Sequence, residues 1–241
     1  MLGLMTAMPE EAEALLGAVL VEGERIEHGR RIFHVGTLFG QDAVLVVSRC
    51  GKVAAATTAT ELVVRFGIDT LMFTGVAGAL TSDLAPGDIV IADRLVQHDI
   101  DASPMWPPMV VPLLDIGVFE TDGALTQRVC EAAERFAGEG GASVHVGPIL
   151  SGDRFVKSSA DVRGLLEAVP GALCVEMEGA AAAQVAYEYG VKLAVARVIS
   201  DHADEAAPET FAESLGSIAA ASALGIVREL MEAGPVSAPI R

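Results

Sequence analysis

Residues 173–189, LCVEMEGAAAAQVAYEY, contain a short apolar run, then two acids around a methionine, then a glycine and an alanine-rich stretch. The apolar run has the length and composition of a buried strand, whereas the alanine-rich stretch is typical of a helix that packs closely. The same alternation continues in both directions along the chain. It predicts an α/β fold with a largely parallel sheet, open or curled into a barrel, and helices on its faces. The predicted strands are residues 2–6, 31–35, 43–48, 70–74, 88–95, 143–150, 173–176 and 192–199, and the predicted helices are 9–20, 53–66, 124–136, 160–167, 179–189 and 208–232.

The composition indicates one well-packed domain. Of the 241 residues, 51% are apolar and 20% are charged, so the chain can bury a substantial core and is not expected to be disordered. We expect a single α/β domain over residues 1–234 and a loose tail over 235–241. The sequence predicts neither a membrane span nor a secretory signal.

Charge and cysteine content narrow the classes of function. The formal net charge of −17 would repel a phosphate backbone, so we expect no nucleic-acid partner. Cys50, Cys130 and Cys174 are widely spaced, which favours reduced thiols and a cytoplasmic location. Cys50 follows an apolar run; a small apolar side chain at a strand end is the favoured interpretation, and a nucleophile is the alternative. The histidines show no metal-ligand spacing, so neither a metal nor another cofactor is expected.

Polar residues follow five of the apolar runs, at the strand ends where ligands of α/β sheets gather. Glycines in the second of these segments would let backbone N–H groups approach an oxygen-rich ligand. The aromatic residue of the third could stack on a base. Acids near the end of a buried strand are costly unless they bind something, which favours a function for the fourth. The five segments are AMPEE (7–11), TGVAGA (74–79), SGDRFV (151–156), VEMEGAAA (175–182) and RVISDH (197–202).

Most of these segments also have a structural interpretation. Glu10 and Glu11 lie in a first helical turn, where acids usually stabilise the helix dipole. The TGVAGA segment is neither a Walker loop nor a GxGxxG fingerprint, and glycine-rich turns are common after strands. Phe155 could close the core from a loop. Asp201, just past an apolar strand, has the position of a general acid with a raised pKa, and His202 beside it is expected to orient it.

Five motifs occur in order along the chain: AMPEEAEALL, SRCGKVAAATTAT, TGVAGAL with PGDIVIAD, SGDRFV, and CVEMEGAAAA with ARVISDHAD. Together they resemble the nucleoside phosphorylase family, and most of all its methylthioadenosine/S-adenosylhomocysteine nucleosidases. The resemblance covers nearly the whole chain. It implies a three-layer α/β/α fold around a mixed, partly barrelled sheet, and a homodimer. The implied reaction is hydrolysis of the N-ribosidic bond of a small nucleoside, releasing adenine and a 5′-thio-substituted ribose.

The resemblance also implies roles for individual residues. Glu11 would be the base that activates a water, and Asp201 the acid that protonates adenine at N7. General acid–base help of this kind typically contributes about 10²–10⁴-fold per residue. The implied substrate-binding residues are Val76, Ala77 and Gly78 in the glycine turn, Phe155 stacked on the purine, Val156 at its Watson–Crick edge, Met177 and Glu178 at the ribose, and Arg197 and Glu176 ordering the water and the ribose.

The nucleophile and the 5′-substituent stay open at this point. A phosphorylase needs arginines to hold phosphate; Met72 and Phe73 precede the glycine turn, and Arg49 is the one candidate, so water is favoured. The related nucleosidases usually carry a serine where this chain has Val76, and an apolar residue is expected in place of Arg49-Cys50. Alternatives are therefore a futalosine-type nucleoside hydrolase, a purine nucleoside phosphorylase, or a non-catalytic nucleoside sensor.

The segment 101–117, DASPMWPPMVVPLLDIG, is the main irregular stretch, with four prolines and the only tryptophan. Long segments without regular structure are usually lids, binding loops or interface elements. We expect Met105 and Trp106 to cover the 5′-substituent, from the same subunit or from a neighbouring one.

Overall fold

The computed structural model describes residues 1–19, 23–214 and 218–237. Within them, ten strands form one mixed sheet and seven helices lie along it. The strands are β1 (Leu2–Thr6), β2 (Glu24–His28), β3 (Arg31–Leu38), β4 (Gln41–Val47), β5 (Thr70–Ala79), β6 (Ile89–Gln97), β7 (Phe119–Glu120), β8 (Val144–Ser151), β9 (Cys174–Glu176) and β10 (Lys192–Asp201). The helices are α1 (Pro9–Val19), α2 (Lys52–Phe66), α3 (Gly123–Gly140), α4 (Ser159–Ala168), α5 (Gly179–Tyr189), α6 (Ala207–Ser214) and α7 (Ile218–Glu232).

Five of the strands close into a barrel. The ring runs β10–β6–β8–β9–β5 and closes because β5 also pairs with β10. The β10–β5, β6–β8 and β8–β9 pairs are parallel, whereas β10–β6 and β5–β9 are antiparallel. Strands β1, β4, β3 and β2 extend the sheet outward from β5. The expected α/β fold with a mixed, partly barrelled sheet is confirmed.

Helices cover both faces because successive strand residues point to opposite sides of the sheet. In β1, Met5 packs into the core that contains Leu62 of α2, whereas Leu4 packs into the core that contains Leu15 of α1 and Val129 of α3. All five residues of β1 are buried, as expected for a strand covered on both faces. Among the described helices, none is both long and apolar enough to cross a membrane.

Two strands, β2 and β7, were not predicted from the sequence, and one predicted helix is described as two. Strand β2 lies at the edge of the sheet with exposed or half-buried residues, so no apolar pattern marks it. Strand β7 has only two residues. The helix predicted over residues 208–232 is described as α6 and α7, and residues 215–217 between them lie outside the described residues, as does residue 20 at the end of the first predicted helix.

The TGVAGA segment differs most from its prediction as a turn. It is the second half of β5, and its residues pair with β10 from Thr74 opposite Ala196 to Gly78 opposite Asp201. Gly78 also lies opposite Val175 of β9. Glycine is unfavourable in strands by propensity, but pairing with β10, and at Gly78 also with β9, overrides that preference here.

The start of the predicted loose tail contacts the domain. Arg128 Nη1 of α3 donates to the carbonyl of Pro235 at 2.6 Å, and the N–H of Val236 donates to Gln41 Oε1 of β4 at 2.9 Å. Val236 is buried. These two residues are therefore held in place, while residues 238–241 lie outside the described residues.

Candidate active site

A pocket opens where β1, β8, β9 and β10 end beside the second half of β5. It brings together ten of the eleven residues that the sequence predicted for the site, although they come from five separate segments. The eleventh, Arg197, is buried beside it. The ten lining residues are Glu11, Val76, Ala77, Gly78, Phe155, Val156, Glu176, Met177, Glu178 and Asp201.

Glu11 is a buried carboxylate held by backbone N–H groups. Its Oε2 accepts from Ala7 at 2.7 Å and from Met8 at 2.9 Å, and its Oε1 accepts from Val76 at 3.1 Å. Burial raises the pKa of Glu11, whereas these N–H donors and the charge of Arg197 act in the opposite direction. The three donors orient the carboxylate, and its raised pKa makes it a better proton acceptor than an exposed glutamate.

Asp201 is the last residue of β10 and is also buried. Its Oδ2 accepts from the Ser200 hydroxyl at 2.7 Å, and its Oδ1 accepts from the N–H of Ala203 at 2.7 Å. Burial raises the pKa of Asp201 despite these two hydrogen bonds, which lower it. The expectation that His202 orients this carboxyl is wrong: His202 is exposed, and Ser200 and Ala203 do so instead.

Two glycines of β5 leave room for these two carboxyl groups. A Cβ atom at Gly75 would lie 2.8 Å from Glu11 Oε1, and one at Gly78 would lie 2.9 Å from Asp201 Oδ1. The glycines therefore do admit oxygen atoms closely, but the oxygens belong to the protein rather than to a ligand. Glu11 therefore lies against β5 at Gly75 and Asp201 lies against it at Gly78, and both carboxyl groups line the same pocket.

Glu178 lies at the N-terminus of α5 and has one backbone donor. The N–H of Gly51 donates to its Oε1 at 2.6 Å. Burial, followed by the charge of Glu176, raises the pKa of Glu178 to about 8. The raised pKa favours the protonated form of Glu178, and such a carboxyl can both donate to and accept from hydroxyl groups.

Glu176 lines the same pocket but is bound on both oxygens by the protein. The Ser151 hydroxyl and the N–H of Gly179 donate to its Oε1, and the N–H groups of Glu178 and Gly179 donate to its Oε2. Arg197 adds two further bonds to Oε2, at 3.2 Å from Nε and 2.7 Å from Nη2. Its carboxylate is thus an anchor for the start of α5.

Arg197 forms a buried ion pair with Glu176, and its Nη1 donates to the backbone. Its Nη1 donates to the carbonyls of Phe73 and Ala196, each at 3.1 Å. Its guanidinium carbon lies 4.2 Å from the centre of the Phe73 ring. Since Arg197 is not a lining residue, it can act on a ligand only through Glu176 and through its charge.

Two aromatic side chains, Phe155 and Phe211, line one part of the pocket. Phe155 is 40% exposed, and its ring stands edge-on to Phe211 with 5.6 Å between the ring centres. Val156 is buried, and no described residue hydrogen-bonds to its main-chain N–H or C=O. A flat heterocycle could stack on Phe155 and bond to the Val156 backbone. Phe211, in α6, was missed because nothing in a long helical pattern distinguishes it.

Several other lining residues were not predicted. Ala7 and Met8 lie in the AMPEE segment and Ser200 next to Asp201, so their motifs could have indicated them; Arg154 and Cys50 also line the pocket. Cys50 is exposed rather than buried at a strand end. Burial and the charges of nearby glutamates raise the pKa of the Cys50 thiol to about 11, which does not suit a nucleophile.

The pocket contains no arginine clamp for phosphate among its described lining residues. Arg154 is the one arginine there, and it pairs with Asp161 at 3.1 Å. Arg49 lines a neighbouring cavity instead. No residue of the 101–117 segment lines the pocket of its own chain. Across the described ranges, no three His, Cys, Asp or Glu side chains are grouped so that they could hold a metal ion.

Comparisons with known proteins agree along the length of the chain. Residues 1–232 match a family model described as the phosphorylase superfamily. An aminodeoxyfutalosine nucleosidase of Helicobacter pylori is 37% identical over 223 residues, covering 92% of this chain and 94% of that one. A 5′-methylthioadenosine/S-adenosylhomocysteine nucleosidase of Mycobacterium bovis is 36% identical over 247 residues, covering 95% and 96%. The structure of a nucleosidase of the latter kind from Neisseria meningitidis, in complex with methylthio-immucillin-A, has a TM-score of 0.90 at 34% identity, covering 96% and 98%.

Proposed function

The chain belongs to the phosphorylase superfamily, and we propose that it is an N-glycosyl hydrolase that releases adenine from 5′-methylthioadenosine and S-adenosylhomocysteine. The observation that carries the proposal is the pair of buried carboxyl groups, Glu11 and Asp201, that line one pocket. Burial raises the pKa of both. Such a pair suits general acid–base catalysis of a hydrolysis, with space for a water between acid and base.

Hydrolysis requires one bond to break and one to form at C1′ of the ribose. The C1′–N9 bond breaks, its electrons pass to the adenine ring, and the proton of Asp201 moves to N7. A water oxygen bonds to C1′, and Glu11 takes the proton that this water loses. The products are neutral adenine and a ribose that carries a 1-hydroxyl, and a proton returns from Glu11 to Asp201 through solvent.

Other residues of the pocket would hold the substrate. Glu178 would bind the ribose hydroxyls, and Met177 beside it would contact the sugar. This binding assists the reaction only if it strengthens as positive charge develops on the ribose. Phe155 would stack on the purine, and the Val156 backbone would bond to its edge. Glu176 and Arg197 would act as positioning residues, because their polar atoms already bind the protein.

Product analysis tests the proposal. The purified chain is incubated with 5′-methylthioadenosine or S-adenosylhomocysteine in phosphate-free buffer, and adenine and sugar products are identified by chromatography and mass spectrometry. We expect equimolar adenine and free 5′-substituted ribose from both. Intact nucleoside after prolonged incubation, with substrate binding retained, would indicate a non-catalytic sensor.

Aminodeoxyfutalosine is a second candidate substrate, favoured by the 37% identity to a Helicobacter pylori enzyme named for that activity. The reaction at C1′ would be the same, and only the 5′-substituent would differ. The ratio of kcat/KM for aminodeoxyfutalosine to kcat/KM for 5′-methylthioadenosine separates the two assignments.

We also propose a homodimer in the cytoplasm. Large apolar side chains are exposed on α2 and on the 101–117 segment: Val53 is 77% exposed, Met105 is 75% exposed and Leu113 is 86% exposed. Exposed apolar side chains of this size favour burial against another chain. The three cysteines carry free thiols, as is usual in a reducing compartment. Sedimentation of the wild type against Leu113→Glu would test the dimer.

A further inference from the structure

A second cavity lies beside the active pocket and shares Ala7, Met8 and Cys50 with it. Its charged lining is basic, whereas the chain as a whole has a net charge of −17. No Asp or Glu is found among its described lining residues. Its basic residues are Arg30, Arg31, His34 and Arg49.

These arginines have no bonded carboxylate within the described part of the chain. Arg31 donates to three neutral acceptors, which are the Thr58 hydroxyl and the carbonyls of Gly29 and Ala54. Arg49 donates through Nη2 to the carbonyl of Arg30. Their positive charges are thus not matched by a salt bridge.

Neighbouring groups leave the cavity positive. Burial and then the charge of Arg49 lower the pKa of Arg31, and Glu61 only partly offsets this. Glu61 itself lies 3.4 Å from His28. Buried His34 Nδ1 has no hydrogen-bond partner in the described structure. An anion that entered this cavity would meet unpaired positive charge and a buried ring nitrogen.

The cavity lies on the side of the pocket to which the 5′ position would point. Glu178, proposed at the ribose hydroxyls, accepts from Gly51, and the preceding residue, Cys50, lines both cavities. Phe155 and Phe211, at the proposed purine end, line only the first. A substituent that extends from the ribose away from the purine would pass Met8 and Cys50 and reach the arginines.

We propose that the second cavity is a subsite for the carboxylate at the end of a long 5′-substituent, recognised by Arg30 and Arg49. The inference rests on the proposed nucleosidase function and assigns the residues that recognise the charged tail of such a substrate. A methylthio group has no charge for the arginines to recognise, whereas the longer tail of S-adenosylhomocysteine carries a carboxylate. The arginines offset the repulsion that this carboxylate meets from ionised Glu11.

A matched pair of substrates tests the subsite: 5′-(3-carboxypropylthio)adenosine and its primary amide, which differ in charge but hardly in size. We expect the wild type to favour the acid in kcat/KM, and the preference to weaken as salt is raised. In Arg30→Gln/Arg49→Gln the acid-to-amide ratio should fall by about three- to tenfold, as expected for partly exposed charge pairs. Arg94→Gln is the matched control, since Arg94 lies on β6 and pairs with Asp93.

The outcomes separate the subsite from the reaction. Adenine release from both substrates with an unchanged ratio in a folded double variant would overturn the subsite and leave the nucleosidase function standing. If neither compound is hydrolysed, the Kd values of the same pair, measured by calorimetry, decide the subsite independently of catalysis. If the double variant does not fold, Arg49→Lys should keep the preference for the acid. In the wild type, an acid-to-amide ratio of kcat/KM that does not change with salt would contradict the proposal.

Discussion

Glu176 and Glu178 both line the pocket, are two residues apart and are both buried, yet their surroundings differ. Glu178 has a single backbone donor, from Gly51. Glu176 has donors on both oxygens, from Ser151, the start of α5 and Arg197. Glu178 retains hydrogen-bonding capacity for a ligand, whereas both oxygens of Glu176 are already bonded to the protein.

The different numbers of donors to Glu176 and Glu178 show that burial of an acid does not by itself indicate a binding role. A buried carboxylate is tolerable when donors and a counter-charge compensate its lost hydration, and it is then structural. One that lacks such partners retains a raised pKa, as Glu178 does at about 8, and is available for chemistry. Substitution of Glu178 should therefore change activity, and substitution of Glu176 should chiefly change stability.

The largest effect on activity is expected at Asp201. Asp201→Asn keeps an acceptor for the N–H of Ala203 but removes the proton for the purine, so kcat should fall by about 10²–10⁴-fold with little change in Tm. Steady-state adenine release and thermal melting measure both. Asp204→Asn, three residues along, is the control. Near-normal turnover of Asp201→Asn would refute the assigned role.

Glu176 should show the opposite response. Glu176→Leu leaves Arg197 buried without its counter-charge, which should lower the free energy of unfolding by about 3–5 kcal/mol. Urea denaturation measures it. Glu176→Leu/Arg197→Met should recover part of the loss, because it removes both charges together. A single variant as stable as the wild type would show that the ion pair is not needed for the fold.

Glu178 should couple stability to pH. Its folded-state pKa of about 8 exceeds the ordinary value of 4.5, so between these values the folded state retains a proton that the unfolded state releases. The free energy of unfolding should therefore fall as pH rises from about 5 to about 8, by up to about 1.4 kcal/mol per unit of pKa difference.

Glu178→Gln removes this dependence. The variant has no proton to lose and still offers an oxygen to Gly51, so its Tm should exceed that of the wild type at pH 8 by several degrees and match it more closely near pH 5. Its kcat/KM should fall at least about tenfold through weaker ribose binding. Parallel Tm curves for the two proteins over this pH range would contradict the assignment.

The smallest expected effect is that of phosphate. The described pocket lining carries one arginine, which already pairs with Asp161, and a phosphate dianion would lie near several carboxyl groups. Adenine release should therefore be equally fast with and without millimolar phosphate. Detection of a ribose 1-phosphate product by mass spectrometry would overturn this, and Arg49 would be the first residue to replace.

Much of the fold follows from local pattern. Residues 2–6 and 179–189 were predicted with the bounds that β1 and α5 have. The first range is a mostly apolar run of strand length, and the second is an alanine-rich run that is followed by a glycine. TGVAGA was misjudged because glycine propensity indicates a turn, whereas pairing with β9 and β10 makes it a strand. Strand β2 was missed because an edge strand needs no apolar alternation.

The sequence indicated that Glu11, Glu176, Glu178 and Asp201 adjoin apolar segments and are candidate site residues, but local pattern did not distinguish buried Glu11 from exposed Glu10. Which of these acids receives a counter-charge and several hydrogen-bond donors depends on how the strands pair. The partners come from distant segments: β10 places Arg197 against Glu176, β8 places Ser151 there, and the turn before α2 places only the Gly51 amide against Glu178. Hydrogen bonds act over about 3 Å, so no spacing along the chain can reveal them until the strands are paired.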